Sequence, residues 1–512
     1  MGVRSLNHDM DPRHSQGESA AGPRRRTHLP GWIGVALAIG LTVPASAPAA
    51  NPHLLPPLLH ADGRLELRVA GPAPFPLTAE QAERITILHS PHLTPDLEGW
   101  APVQGSRVFH AGMLHVDWLT AGDSPATRFF VAQELATPQT LTVSTAAAFR
   151  SAVANARPGT RIQLAAGTYP GGFAFSNLRG MPGHPIVLAG ADPAQPPVLQ
   201  GGANAIQLTD PSWVVIEDLV LTGATGNGLN IDDGGTADTP AQHITLRRLR
   251  VTDVGPQGNR DGIKLSGVVD FRVEGCTIER WGSAGSGIDM VGCHRGLIES
   301  NQFRHTPAAA STGANGVQTK GGSSDVIVRR NRFEHAGARS VNVGGSTGLE
   351  FFRPALMPGG NHAEARAIRV EGNTIIGSTA AIAFVGVDGA VVRFNTLYRP
   401  ERWAIRILQE NTAPGFVPCR DGVFTDNLVA FHSSQWSSGG VNVGAQTSPE
   451  TFQFARNGWY CIDTPARSRP SLPTPETSGT YGQDPRFRDP TNGDLRLQPD
   501  SPARAMGAEA LP

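Results

Sequence analysis

Leu297-Ile-Glu-Ser-Asn-Gln-Phe303, Ile327-Val-Arg-Arg-Asn-Arg-Phe333, Arg369-Val-Glu-Gly-Asn-Thr-Ile375 and Val391-Val-Arg-Phe-Asn-Thr-Leu397 are one segment written four times. The pattern extends both ways. Val215-Ile-Glu-Asp-Leu-Val-Leu221, Thr245-Leu-Arg-Arg-Leu-Arg-Val251 and Arg272-Val-Glu-Gly-Cys-Thr-Ile278 come before, and Val423-Phe-Thr-Asp-Asn-Leu-Val429 comes after. The second and last positions are apolar in every copy. The fifth runs Leu219, Leu249, Cys276, Asn301, Asn331, Asn373, Asn395, Asn427. A unit this short cannot bury its apolar face alone, so copies must stack, and stacked strand–turn units form a solenoid. An asparagine at one register point of successive turns bonds the amides of the coils beside it and satisfies otherwise orphaned backbone. The repeat therefore predicts an all-β chain folded as a single-stranded, right-handed parallel β-helix.

Each copy is followed by a second β-rich stretch: Gly228–Asp232, Gly262–Ser266, Gly287–Val291, Gly316–Lys320, Ser340–Gly344, Ala381–Val385, Ala404–Leu408 and Gly440–Gly444. Consecutive copies lie from 22 residues apart (Asn373 to Asn395) to 42 (Asn331 to Asn373), so a short coil is interrupted by insertions. The long insertions, 304–315, 346–366 and 409–421, are expected to border a cleft. Upstream, Ser144-Thr145 precede Ala146–Ala156, where Phe149 and Val153 share a helical face and Pro158-Gly159 ends the run. A short helix here caps the open first coil. Residues 137–463 are thus the β-helix. The segment 464–512 is its C-terminal strap and cap, Pro-rich at 464–475.

Residues 51–136 read as a small β-sandwich-like accessory module, with strands at Leu65–Val69, Ile85–Leu88, Met113–Trp118 and Arg128–Ala132 and with Trp100, Phe109 and Phe129 for a core. Residues 1–50 form a leader. Arg24, Arg25 and Arg26 precede the uncharged run Trp32–Val43, and Ala45, Ala47 and Ala49 follow, the pattern of a cleaved export signal, with Met10 as an alternative start. The run is short for a membrane span, so a secreted, periplasmic or cell-surface protein without stable membrane insertion is expected. A net charge of −1 leaves no field for nucleic acid. Among the four cysteines, Cys419–Cys461 is a possible disulfide; four buried free thiols are the other reading.

Strand alternation sorts the second stretch by face. In Ile263-Lys-Leu-Ser266 the Ile and Leu point inward, so one outward column is Asn230, Lys264, Asp289, Gln318, Asn342, Ala383, Arg406, Asn442. Its neighbour is Asp232, Ser266, Val291, Lys320, Gly344, Val385, Leu408, Gly444. With coils roughly 4.8 Å apart, Lys264, Asp289, Gln318, Lys320 and Asn342 crowd one patch. Such a wall suits a polysaccharide or oligosaccharide held by a monomer. Asp232, Asp261 and Asp289 are candidate Ca²⁺ ligands. Alternatively, Asp289 pairs with Lys264 across coils.

The region 137–505 resembles the right-handed parallel β-helix superfamily that contains bacterial polysaccharide lyases. Asn315-Gly-Val-Gln-Thr-Lys-Gly-Gly322 is similar to the Gly-rich strand in which pectate-type lyases carry their base lysine. Lys320 followed by Arg339 approximates the lysine–arginine order of alginate- and dermatan-type lyases, although Arg339 falls just before its strand rather than within it. The resemblance implies β-elimination on an acidic polymer, with a uronate carboxylate neutralised and the adjacent C5 proton removed. Lys320, Arg339 and Lys264 are the catalytic candidates, with His335 as a second base. Asn230, Asp289, Gln318, Asn342 and Arg406 are candidate substrate contacts. Two neighbouring lysines are expected to depress each other's pKa. Two other classes remain open. A polygalacturonase-type hydrolase would use Asp261 and Asp289, but its Gly-His-Gly and Arg-Ile-Lys elements are missing. A surface glycan-binding or adhesin-like protein would use the same wall without a reaction.

Overall fold

Every repeated segment is two short strands meeting at a corner. The fourth position supplies the left-handed residue that makes the bend: Asp218 (φ 56°), Arg248 (51°), Ser300 (58°), Arg330 (53°), Phe394 (54°) and Asp426 (58°), with Gly275 and Gly372 in the same role. The computed structural model describes residues 53–60, 64–71, 76–90, 101–103, 105–111, 113–119, 129–134, 138–236 and 239–512. Within 138–512, three parallel sheets of 14, 12 and 10 strands run the length of a right-handed parallel β-helix. One coil takes a strand from each, as in His294–Glu299, Gln302–Arg304 and Asn315–Lys320.

The asparagine column lies at the corner between the 14- and 12-stranded sheets. Asn331 donates from its backbone N and from Nδ2 to Oδ1 of Asn373 (2.9 and 3.0 Å), and Asn373 does the same to Asn395 (3.0 and 2.9 Å). Each Nδ2 also reaches a backbone carbonyl of the coil before, Ile298 for Asn331 and Val328 for Asn373. The ladder runs one coil past the alignment, to Asn457, and ends on the carboxylate of Glu476 (2.8 Å). Apolar positions on either side of the corner fill the interior. Phe303 and Phe333 stack with centroids 4.6 Å apart, each buried residue of this size contributing about 2–3 kcal/mol.

The helix Ala146–Ala154 starts from Thr145, whose Oγ1 accepts from Ala148 N (3.1 Å), and buries Phe149 and Val153 against the first coils. At the other end, Leu472 of the Pro-rich stretch packs on the core. The last segment packs along the 12-stranded sheet. Its hairpin, Phe487–Asp489 with Asp494–Leu497, joins Met506 in a second cluster with Leu428 and Ala430 of the 12-stranded sheet. All four cysteines are free and buried, so the Cys419–Cys461 disulfide does not form. Burial pushes the Cys276 and Cys293 thiols up to about 12.

By contacts the chain divides into two units, one running to Thr78 with Ile87–Ala132 and the other comprising Ala79–Thr86 with Gln133–Pro512. In the first, Arg64–Ala70 pairs antiparallel with Met113–Leu119 and buries Leu65, Leu67 and Val69 on alternate positions. Its aromatic core is not the expected set. Phe109 is exposed, Phe129 is half-buried, and Trp118 meets Phe130 edge-on at 5.6 Å. The leader, including Arg24–Arg26 and Trp32–Val43, lies outside the described residues, as does Trp100. Among the described residues no helix is long and apolar enough to cross a membrane.

Candidate functional site

The 10-stranded sheet carries the outward column in unbroken register: Gln207, Asn230, Lys264, Asp289, Gln318, Asn342, Ala383, Arg406, Asn442. The neighbouring column holds through Asp232, Ser266, Val291 and Lys320, and then a bulge intervenes. Gln318 pairs with Asn342 but Thr319 pairs with Gly344, which leaves Lys320 out of line with the next coil. Gly345 makes room for this, since a Cβ there would collide with the Gln318 amide.

Charge on this wall is layered. Asp289 is buried, its side chain 1% exposed, beneath the ammonium groups of Lys264 (18%) and Lys320 (15%). Lys264 Nζ is in close contact with Asp289 Oδ2 and lies 3.8 Å from Asp261 Oδ2. Lys320 Nζ stands 3.4 Å from Asp289 Oδ1 as an ion pair without hydrogen-bond alignment. Burial, followed by the Asp289 charge, pushes the Asp261 carboxyl up to about 7. Burial opposes the charge of Lys264, but Asp289 and Asp261 outweigh it and raise its pKa. The expectation of a mutually depressed lysine pair is therefore corrected at Lys264, because the two carboxylates that face its charge outweigh its burial.

Three residues before each wall position runs a second polar column, which the strand-by-strand sorting overlooked. Asn227 N donates to Asn204 Oδ1 (2.8 Å), Asp261 N to Asn227 Oδ1 (2.9 Å) and Ser286 N to Asp261 Oδ1 (2.7 Å). Asn315 continues the column and donates to Gln318 Oε1 (3.1 Å). Arg339 is next, paired in register with Asn315. It is the first residue of the strand Arg339–Gly344, not a residue ahead of it, and this corrects its placement from sequence. Its guanidinium donates to Asn342 Oδ1 (3.1 Å) and to Glu410 Oε1 (2.6 Å). Arg406 donates to Asn442 Oδ1 (2.9 Å) and lies over the Trp403 ring. Its pKa is lowered, first by burial and then by the Arg339 charge.

The insertions border this sheet on both edges. Residues 304–315 precede a wall strand, and Ala310 O within them accepts from Thr379 Oγ1 (2.6 Å), just ahead of the wall strand Ala380–Val385. Residues 346–366 and 409–421 follow wall strands and bridge each other at His362 and Phe416. The fully buried Glu364 anchors both: it accepts from Gly321 N (2.8 Å), Thr347 N (2.9 Å), Thr347 Oγ1 (2.8 Å) and Asn411 Nδ2 (3.1 Å). It thereby fixes the turn directly after Lys320. Glu364 and Glu410 lie in insertions, where no repeat register could single them out.

Other expected residues are placed elsewhere or are already engaged. Asp232 Oδ2 accepts from Gln207 Nε2 (2.6 Å) and Asn230 Nδ2 (3.0 Å). His335, at a left-handed corner position, lines a separate pocket of about 520 Å³ with Tyr398, Glu401 and Asn492, so it is not a base on this wall. Asp232, Asp261 and Asp289 do not fit a Ca²⁺ cage, because their oxygens face lysines and amide donors. Among the described residues, the only His/Cys/Asp/Glu trio with ligand atoms within 4.8 Å of one another is His60, Glu66 and Asp117, in the first unit.

Residues 204–397 match the family model described as a right handed beta helix region. No curated protein matches the chain. Among solved structures, an alginate lyase from Paenibacillus sp. str. FPU-7 is 20% identical, with 60% of this chain and 99% of that one covered and a TM-score of 0.41. The PL6 family alginate lyase AlyGC, as its R241A mutant, is 15% identical over 73% of this chain, which spans 59% of its length, with a TM-score of 0.42. The A-module of the mannuronan C-5 epimerase AlgE6 from Azotobacter vinelandii is 15% identical over 65% of this chain and 94% of that one, with a TM-score of 0.43. Likeness at this level says nothing of the reaction.

Proposed function

We propose that this right-handed β-helix is an exported, carbohydrate-active enzyme that cleaves a uronic-acid-containing polysaccharide by β-elimination. The layering of charge on the 10-stranded sheet carries the reading. The carboxylates of Asp261 and Asp289 are sequestered beneath Lys264 and Lys320, while Arg339 and Arg406 stand on later strands of the same sheet. A substrate lying along this wall meets ammonium and guanidinium groups, the complement of a polyanion. A neutral glycan would gain little from them.

In this reading Arg339, with Arg406 one strand beyond Ala383, pairs with the uronate carboxylate. Neutralising that charge lets the C5–H bond release its proton, and preorganised cations in a shielded cleft supply the largest share of such stabilisation. Lys320 is the base. Lys264 is held charged by its two aspartates, whereas Lys320 touches Asp289 without a hydrogen bond and is free to turn toward substrate. Lys320 acts as the neutral amine: as it takes the C5 proton, the electron pair forms the C4–C5 double bond, the C4–O bond breaks, and the leaving oxygen takes a proton from solvent water. Lys264 is a positioning residue that balances Asp289. Gln318, Asn342 and Asn230 provide hydrogen bonds for hydroxyl groups. A hydrolase would need Asp261 and Asp289 open to the glycosidic oxygen and to water, and the lysines cover them.

The test is incubation of the purified protein with a panel of polyuronates. Absorbance of a 4,5-unsaturated uronate is expected, falling by about 10²–10⁴ in Lys320→Ala, the usual worth of a general base. New reducing ends without that absorbance would indicate hydrolysis, and binding without either would indicate an adhesin. Unchanged activity in Lys320→Ala would remove Lys320 from the mechanism.

A further inference from the structure

The arginine pair on the wall already holds a carboxylate. Glu410 Oε1 lies 2.6 Å from Arg339 Nη2, and the Glu410 charge also acts on Arg406, where it opposes the lowering caused by burial and by Arg339. Glu410 is the second residue of the insertion 409–421, and its neighbours on both sides are tied down. Gln409 Nε2 donates to Asn411 O (2.7 Å), and Gln409 Oε1 accepts from Cys419 N (2.7 Å). Asn411 Nδ2 donates to Thr347 O (3.3 Å) and to Glu364 Oε1 (3.1 Å). Asn411 is thus held by the same buried carboxylate that sets the turn after Lys320, and Gln409 by Asn411 and Cys419. The Glu410 side chain itself is a third exposed and, among the described residues, is held by Arg339 alone. A charge at the end of a fixed stem, reaching onto a cation of the wall, is a built arrangement rather than a random surface pair.

We propose that Glu410 is a resident stand-in for the substrate's carboxylate, occupying the uronate subsite formed by Arg339 and Arg406 until a polyuronate displaces it. This rests on the lyase reading and assigns one subsite within it. Three consequences follow from the chemistry. The arginines are kept paired and solvated in the empty cleft, so they are not lost to adventitious anions. A ligand without a carboxylate cannot break the Arg339–Glu410 contact, so neutral glycans are excluded. Displacement needs only rotation of one side chain, since the loop is anchored at Gln409 and Asn411.

The experiment measures dissociation constants of the full chain for polygalacturonate and alginate by titration calorimetry, for wild type, Glu410→Gln, Glu410→Ala and Arg339→Ala. Removing an internal competitor should tighten binding of the preferred polyuronate roughly three- to tenfold in both Glu410 variants, the scale of a partly exposed ion pair. Arg339→Ala should weaken it. If wild type binds a polyuronate and neither Glu410 variant binds more tightly, Glu410 orients Arg339 and the stand-in assignment fails alone. If no form of the protein binds any polyuronate, the lyase reading fails with it.

Discussion

At the scale of single residues, the site turns on a carboxyl that gains a proton by being buried. Asp261 has its pKa raised from 3.8 to about 7, by burial and by Asp289. The folded state therefore holds a proton that the unfolded chain has released between those values. Stability from this group is full below about pH 4 and is lost as the pH climbs toward 7. Asp261→Asn keeps the acceptor for Ser286 N, as Asn227 does one coil earlier, and carries no charge to bury. Relative to wild type, this variant should gain on the order of 2 kcal/mol between pH 5 and pH 8, read from urea midpoints at the two values. An offset that does not change with pH would mean that Asp261 ionises freely. The sequence made the lysines legible, because strand alternation sends Lys264 and Lys320 outward. It could not show which charges sit beneath them. Alternation places side chains on a face, but depth within that face depends on how adjacent coils close over it, and Asp289 and Lys264 share a column although one is buried and the other partly exposed.

At the scale of elements, the corner between the 14- and 12-stranded sheets was nearly all readable. Its fifth position announces the ladder, and its fourth supplies the left-handed residue. Only the ends escaped notice: Cys276 N donates to Asn301 at the start (2.8 Å), and Glu476, in a stretch with no repeat, closes the far end. Leu219 and Leu249 are buried at the equivalent point in earlier coils, so the corner can form without the ladder. Once begun, however, each rung has to satisfy the rung before it. Asn373→Ala would strip Oδ1 from Asn331 N and Nδ2, take the Nδ2 donor from Val328 O, and leave Asn395 Oδ1 with the backbone N of residue 373 alone, all in the buried interior. We expect a loss of about 2–4 kcal/mol in chemical denaturation. A loss near zero would show that water reaches this corner. The insertions were legible only as interruptions. Their anchoring by Glu364 joins residues from three separate segments, and no periodic pattern encodes a contact of that kind.

At the scale of the whole molecule, the stack behaves as a one-dimensional series in which each coil depends on its neighbours. The C-terminal segment breaks that simplicity by lying along several coils at once. Phe487, Leu495, Leu497 and Met506 pack with Leu428 and Ala430, and against Ile376, Tyr398, Tyr460 and Ile462. Farther along, Ala508 N donates to Thr396 Oγ1 (2.9 Å), and Arg332 donates to Gly493 O (3.0 Å). The segment thus splints the outer face of the 12-stranded sheet from the coil of Arg332 to that of Tyr460. A chain ending at Gly482 keeps the last ladder rung and Glu476 but exposes this apolar strip. Hydrogen exchange should accelerate in Thr374–Ile376, Thr396–Tyr398, Leu428–Phe431 and Gly458–Cys461, while Thr168–Pro170 and Val198–Gln200, many coils away, keep wild-type protection. The lysine wall lies on a different sheet of the same coils, so local loosening should reach Arg406 before it reaches Lys264. Polyuronate binding would then weaken through the arginine subsite first. Uniform acceleration along the whole stack would instead mean that the β-helix unfolds as a single cooperative block, with the C-terminal segment stabilising all of it equally.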